Sequence, residues 1–488
     1  MFENRMPHVE VLTPGAMETI ERGWRRLVSE IGVEFMHEEA LEALSAAGQR
    51  VEGEVVHFDP DWVLEQVALA PREFRVRARD PQHDLVIGGR SMAFTSVSGP
   101  PFFRAGDVRR DGHLADYELM AKLVHSFPEL DMVTMPVIEP EDAPLDSRHL
   151  DMLMAATRAT TKPVMGSSLS TAHAEDSIEM HRIVHAGEEL FTPGTAADPR
   201  PTTSMMAIVN VNSPLRYDTR MLEALLAYAE QGQGVVVTPF LLMGAMSPVT
   251  VPSALVQQTA EVLTGIALMQ VVRPGTPAVM GSFLSTIDMQ SGSPAFGGPE
   301  SAQGLYASGQ IARRFGLPWR AGGGGLTSSQ VVDAQAGYES FNTLNAAFAA
   351  GANLVVQAAG WLESGLVSSP DKLVLDIEIL RMLRRQFTPL QVDEESLAYD
   401  AHQEVGHGGH FLGAAHTLDR FRDCFYRPLL SSTDNFERWT RNGSHDTAAR
   451  AGEIWRATLE TYVAPTMEAE LAERLDAFVS RRRRELGD

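Results

Sequence analysis

Cysteine is almost absent from this sequence: Cys424 is the only one in 488 residues. No internal disulfide is possible, and a zinc centre built on several thiolates is excluded. Lysine is nearly as scarce, with Lys122, Lys162 and Lys372 alone, none of them closing an apolar run. Schiff-base chemistry, which needs a lysine at the reaction centre, has no support. No window reaches the roughly 18 uninterrupted apolar residues of a membrane span, and the start, Met1-Phe2-Glu3-Asn4-Arg5-Met6-Pro7, lacks an apolar signal core. A cytoplasmic protein is expected. Positive charge is short as well, 41 Lys+Arg against 64 Asp+Glu giving a formal charge of −23. Nucleic acid and anionic membranes are recognised through Lys/Arg contacts, so neither is an expected partner.

What is present is ordinary in proportion, 44% hydrophobic and 22% charged, and patterned in a regular way. Residues 1–90 read as a mixed N-terminal region with helical periodicity over 16–31, 38–47 and 61–70. From 91 to 390 apolar, β-prone runs recur at Met92–Val97, Met132–Val137, Pro163–Ser167, Met205–Val211, Gly234–Phe240, Pro277–Phe283, Leu317–Ala321 and Asn353–Ala358. A helical stretch follows each one. Eight strand–helix repeats predict an α/β fold, a (β/α)8 TIM barrel, because parallel strands buried on both faces appear as continuous apolar runs. An open doubly wound sheet uses the same alternation and is the competing architecture. Residues 391–488 read as mainly helical, and the closing run Arg481–Arg484 is placed to complement a helix dipole.

In such a barrel, chemistry sits at the C-terminal ends of the strands. Those ends carry Ser98–Phe103, Asn210 and Asn212, Phe240, Phe283 with Asp288, Gly322–Gly325, and Trp361 with Glu363. This set is aromatic, amide and carboxylate, and poor in bases and nucleophiles. Backbone N–H groups of the glycine run can cradle an anion, but no GxGxxG or Walker sequence surrounds it. Four glycines at a strand's mouth signal a close approach to the backbone by a ligand, a partner protein or a neighbouring loop. His402, His407, His410 and His416 are irregularly spaced among glycines, which favours a packed turn over a metal site; no metal is expected.

One longer pattern is specific. Gly281-Ser282-Phe283, Asp288-Met289-Gln290-Ser291-Gly292-Ser293-Pro294-Ala295-Phe296-Gly297-Gly298-Pro299-Glu300, Asp333-Ala334-Gln335-Ala336-Gly337-Tyr338-Glu339 and Glu404-Val405-Gly406-His407-Gly408-Gly409-His410-Phe411-Leu412 resemble the trimethylamine methyltransferase family. Asn212-Ser213-Pro214-Leu215, Ala260-Glu261-Val262-Leu263 and Val271-Val272-Arg273-Pro274-Gly275 extend the similarity in order through most of the chain. The resemblance implies a (β/α)8 barrel that moves a methyl group from a methylated amine to the cobalt of a corrinoid protein. It also implies that the cofactor, a corrinoid, arrives on that partner and is not held tightly by this chain. The archaeal trimethylamine enzymes carry pyrrolysine at a strand end; this chain has none, so it looks like the branch that includes glycine betaine methyltransferases. The equivalent place is expected in or near Gly322–Gly325, which makes Gly323, Gly324 and Gln335 the candidates for the reaction centre.

A quaternary ammonium suits a site without bases, because its leaving group departs as a neutral tertiary amine and the task left to the protein is orientation and electrostatics. Having no N–H, such a nitrogen is recognised by aromatic faces and carboxylates. The candidates are Phe102, Phe283, Phe296, Tyr338 and Trp361, with Asp288 or Glu363 as counter-charge. Arg320 or the glycine amides would hold a betaine carboxylate, His410 and Gln335 are candidate wall residues, and Asp333 is placed to cap the next helix. Direct transfer to tetrahydrofolate and a non-catalytic barrel that binds quaternary amines are the alternatives. A homo-oligomer is expected, although no segment signals its size.

Overall fold

Six regular strands run parallel: β1 (Ser91–Ser96), β2 (Met206–Val211), β3 (Gly234–Pro239), β4 (Ala278–Ser282), β5 (Trp319–Gly322) and β6 (Leu354–Ala359), in the spatial order β1-β6-β5-β4-β3-β2. These positions come from a computed structural model, which describes residues 1–487. The helices between and after them are α1 (Leu114–Ser126), α2 (Arg148–Ala159), α3 (Thr171–Val184), α4 (Thr219–Glu230), α5 (Val251–Val272), α6 (Pro299–Phe315), α7 (Ala334–Ala350) and α8 (Pro370–Gln386). The sheet is curled, and alternation along each strand divides it into two faces. Met206, Val236, Val279 and Leu354 meet on the concave side with Ala93, Met132 and Met165. Ala207, Val235, Met280, Ala321 and Val355 belong instead to the large core shared with the helices.

Two of the eight expected strands, 132–137 and 163–167, are not regular. Thr95 pairs with Met132 and Val133 with Val164 through single parallel bridges, and the Gly166 N–H donates to the Met206 carbonyl at 2.9 Å. Pro136 and Pro163 have no N–H to give, which keeps either segment from extending a ladder. The regular sheet is therefore a curled half-barrel within an α/β fold.

The N-terminal region contains helices Pro14–Arg26, Glu38–Ala46 and Pro60–Val67, and also a hairpin that helical periodicity alone does not reveal. Its strands, Glu73–Val76 and Leu85–Gly88, run antiparallel to each other and lead into β1. Phe74, Val76, Leu85 and Ile87 from this hairpin pack on the concave face beside Val236 and Val279. The N-terminal ends of the strands are plugged by apolar side chains, and the C-terminal ends are left open.

Helix α5 is long and apolar enough to cross a membrane, but 83% of its apolar window is buried inside the protein. It is a core helix. Its buried Glu261 accepts from Ser213 Oγ at 2.8 Å and the Leu215 N–H at 2.7 Å, tying down the loop after β2. At the C-terminus, α9 (Thr447–Glu460) packs on α8 and α1, and α10 (Ala469–Leu486) packs on α3 and α2. The arginine run does more there than complement a dipole: Arg482 Nε donates to buried Asp176 of α3 at 2.6 Å, and Arg483 pairs with Asp151 of α2. Short helices fill 394–441, and the segment holding His402, His407 and His410 is exposed.

Candidate active site

At the open C-terminal ends of the strands lies a cavity of about 260 Å³. The strand alternation determines what reaches it. Ile208 and Asn210 follow Met206 along the inward face of β2, and Arg320 points inward between Trp319 and Ala321, which belong to the helix-facing core. Phe240, Phe283 and Trp361 stand just past the ends of β3, β4 and β6.

Arg320 is the dominant charge. It is 2% exposed. Nη1 donates to Thr238 Oγ1 at 3.1 Å and to the Ser282 carbonyl at 3.3 Å, and Nη2 donates to Gln357 Oε1 at 2.6 Å. These partners are neutral, and Nε has no partner. Among the described residues no carboxylate pairs with this guanidinium. Burial pulls its pKa down to about 9. Such an arrangement destabilises the empty protein and is tolerated where an anion is to be received. Gln357 is itself unusual: it holds φ +59° where the pairing of β6 with β1 shifts register. A non-glycine residue in that region costs about 1–3 kcal/mol, and here the strain turns the amide towards Arg320.

The glycine run is explained by packing of this same region. A Cβ on Gly322 would sit 2.1 Å from the Ser282 carbonyl oxygen and 2.6 Å from Arg320 Nη1, so only glycine leaves room for the guanidinium. Gly323 (φ +82°) and Gly324 are buried against Leu326 and Val355 and do not line the cavity.

The aromatic wall is a connected cluster. Phe240 and Phe283 have ring centroids 4.7 Å apart, and Phe296 lies 5.5 Å from Phe283 and 6.2 Å from Trp361. Phe296 supports the wall from behind; the other three face the cavity. Trp361 Nε1 is buried without a partner, an orphan donor beside the cavity. The carboxylate of the cavity is Glu139, on the loop after the irregular second segment. Arg148 Nη2 stands 2.8 Å from its Oε2, yet burial still raises the Glu139 pKa above the ordinary value. Ser167, also in the wall, bonds His173 Nδ1 at 3.2 Å. His173 stacks at 3.7 Å on His149, which is bonded to Asp176; burial lowers the His173 pKa to about 4, so this ring is neutral at physiological pH.

Of the residues singled out from the sequence, Phe283, Arg320 and Trp361 therefore meet in one cavity with Phe296 at their back. Ser98, Gly99, Asn210 and Phe240, also noted at strand ends, line the same cavity; the remaining candidates lie off it. Phe102 sits beneath the Arg109 guanidinium at 3.9 Å, and Arg109 in turn pairs with Glu363 at 3.0 Å, so those two are occupied with each other through one arginine. Asp288 is exposed and closes its own turn, accepting from the Gln290 N–H at 2.9 Å. Tyr338 is 63% exposed, Gln335 bonds Glu339 on the same helix at 3.0 Å, and His410 is exposed. Asp333 caps α7 by accepting from the Ala336 N–H at 2.9 Å. Glu139, Thr238 and Gln357 were not legible as site residues. The available signals were a polar residue inside the apolar run 353–358 and a carboxylate two positions beyond Val137. Among the described residues no group of three or more His, Cys, Asp or Glu is arranged to hold a metal ion.

Comparison with known proteins settles the family. The trimethylamine methyltransferase model matches residues 1–487, essentially the whole chain. The chain belongs to the trimethylamine methyltransferase family. It is a methyltransferase. Over 484 residues it is 37% identical to a glycine betaine methyltransferase from Desulfitobacterium hafniense strain Y51, with 99% of both chains covered. It is 26% identical to the trimethylamine methyltransferase MttB2 of Methanosarcina mazei, covering 97% of this chain and 95% of that one. In structure it is similar to the monomethylamine methyltransferase MtmB of Methanosarcina barkeri, with a TM-score of 0.53 and 11% identity over 94% of this chain and 90% of the other. That likeness is one of fold.

Proposed function

We propose that this family member removes one methyl group from a small zwitterionic quaternary amine of the glycine betaine kind and passes it to a Co(I) corrinoid carried by a partner protein. The observation that carries the reading is Arg320, a buried cation with no counter-anion, in one cavity with Phe240, Phe283, Trp361 and Glu139. A betaine presents the matching pattern, a carboxylate for the guanidinium and a trimethylammonium for aromatic faces and Glu139. The name of the Desulfitobacterium relative points to the same substrate.

In the reaction, a methyl carbon parts from nitrogen, the bonding pair stays on nitrogen, and a neutral tertiary amine leaves. No side chain has to act as acid or base, so the Ser167–His173 pair in the wall has no proton to move in this reaction. The corrinoid supplies the nucleophile that accepts the methyl group. A corrin macrocycle is far larger than a 260 Å³ cavity, so the fit favours a corrinoid that stays on its partner and approaches the open mouth. This chain's part is to hold the two ends of the substrate so that a methyl group points outward, and to keep water away from the cation.

We also infer that the curled sheet closes as a (β/α)8 barrel through the bridged segments at Met132 and Val164. Residues 1–90 would then close the floor, 91–390 carry the site, and 391–488 buttress it. An exposed lone thiol, Cys424, suits the reducing cytoplasm. Incubating the protein with glycine betaine and reduced cobalamin, while following methylcobalamin by absorbance, tests the function. Dimethylglycine should appear together with methylated cobalamin. Failure of methyl-cobalt formation with every carboxylate-bearing quaternary amine would refute the reading, and transfer to tetrahydrofolate without corrinoid would reassign the acceptor.

A further inference from the structure

Two of the three lysines are buried, and one of them lies directly behind the cavity. Lys372 and Asp376 stand one turn apart on α8, both side chains fully buried. Lys372 Nζ lies 2.6 Å from both Asp376 oxygens and donates to Ser340 Oγ of α7 at 2.8 Å and the Gly325 carbonyl at 3.3 Å. Asp376 Oδ2 also accepts from the Gly360 N–H at 2.8 Å. Neither residue lines the cavity. A buried ion pair is a costly way to fill space that apolar side chains would fill as well, so its benefit must be geometric.

The geometry is found in the two backbone turns the pair joins. Gly360 is the residue before Trp361. Gly325 donates its N–H to the Gln357 carbonyl at 2.8 Å, and the Gln357 side chain holds Arg320. One head of the pair is a donor for the turn after β5, and the other is an acceptor for the turn after β6; two apolar side chains would leave both backbone groups orphaned. A Cβ on Gly325 would stand 3.1 Å from Asp376 Oδ2 and 2.6 Å from the Ala358 carbonyl oxygen, which accounts for the last glycine of the run.

We propose that the Lys372–Asp376 pair is a positioning device for the substrate site: through the Gly360 and Gly325 turns it sets the orientation of Trp361 and, by way of Gln357, of Arg320. This rests on reading the cavity as a zwitterion site. The pair touches no substrate, and its effect appears as affinity, not as chemistry.

A double-mutant cycle tests the proposal. Asp376→Ala should raise the glycine betaine KM about tenfold or more, with kcat changed far less. Asp376→Asn keeps an oxygen for the Gly360 N–H and should restore most of the loss. Combined with Trp361→Phe, Asp376→Ala should cost clearly less than the sum of the two single changes, because part of its effect passes through the same indole. Additive losses, or an effect confined to kcat and Tm, would overturn the proposal. A readout without substrate keeps its failure separate from that of the betaine reading. Trp361 emission, taken as wild type minus Trp361→Phe, should be more readily quenched by acrylamide in Asp376→Ala; unchanged quenching contradicts the role whether or not glycine betaine binds. If Asp376→Ala does not fold, Lys372→Met frees the Gly325 turn instead. It should weaken glycine betaine more than choline, and equal effects on the two would overturn the proposal.

Discussion

Replacing Arg320 by methionine removes the buried guanidinium while keeping an unbranched side chain of comparable length. A hydrogen bond to a charged group is worth about 1.5–3 kcal/mol, so a carboxylate held by two of them would lose about 3 kcal/mol or more, roughly 150-fold in Kd. Folding should respond in the opposite sense. The variant gives up neutral bonds to Thr238, Ser282 and Gln357, but it also gives up an uncompensated charge whose pKa burial has pulled to about 9. Stability should therefore be unchanged or higher, the pattern of a residue retained for binding. Calorimetry with glycine betaine and with choline, which has no carboxylate, separates the effects: betaine binding should fall and choline binding should not. The pH dependence follows from the same group. The protonated guanidinium binds the carboxylate, so Arg320 should hold wild-type affinity level up to about pH 9 and let it fall towards tenfold per unit above it, while Glu139 sets a separate limb on the acid side. Equal losses for betaine and choline, or a marked fall in Tm without loss of affinity, would refute the reasoning.

Other outcomes are expected from the same geometry. Trp361→Ala should weaken quaternary amines by about 1–2 kcal/mol, roughly 5–30-fold, when titrated by calorimetry. In the wild type, affinity for the cation should fall on acidification at a pH above the ordinary carboxylate range, because burial raises Glu139 and its protonated form has no charge to offer. Glu139→Gln should bind weakly and lose that acid limb. Gly322→Ala should displace Arg320 and reduce glycine betaine affinity sharply, with far-UV circular dichroism retained. Lys162 donates to the carbonyls of Val124, Phe127 and Leu130 at 2.7–2.9 Å, so Lys162→Met should destabilise the protein by about 2–4 kcal/mol in denaturant unfolding and leave substrate affinity unchanged.

The βα rhythm was legible because parallel strands covered on both faces are written as unbroken apolar runs. Gly234–Phe240, Pro277–Phe283 and Asn353–Ala358 fall on β3, β4 and β6 within a residue or two of the observed ends. The same rule over-read 132–137 and 163–167, where proline removes the N–H groups a ladder needs. The floor hairpin was missed because its two short strands carry only four buried apolar side chains between them. At the site, Phe283, Arg320 and Trp361 could be found since each occupies or follows a strand end. Phe102 and Glu363 occupy comparable positions, and only the fold reveals that Arg109 engages both. Glu139 was hidden because the strand before it is not regular, and Gln357 because a bulge turns a residue of an apolar strand inward. The glycine run was noticed for a sound reason, close approach to the backbone, and the side chains that come close include Arg320, Leu326, Val355 and Asp376.

The account stands most directly on where a betaine sits. A crystal structure of the protein with glycine betaine should place the carboxylate against Arg320 and the trimethylammonium among Phe240, Phe283 and Trp361, one methyl facing the open mouth. A ligand bound with its carboxylate turned away from Arg320, or outside this cavity altogether, would contradict it.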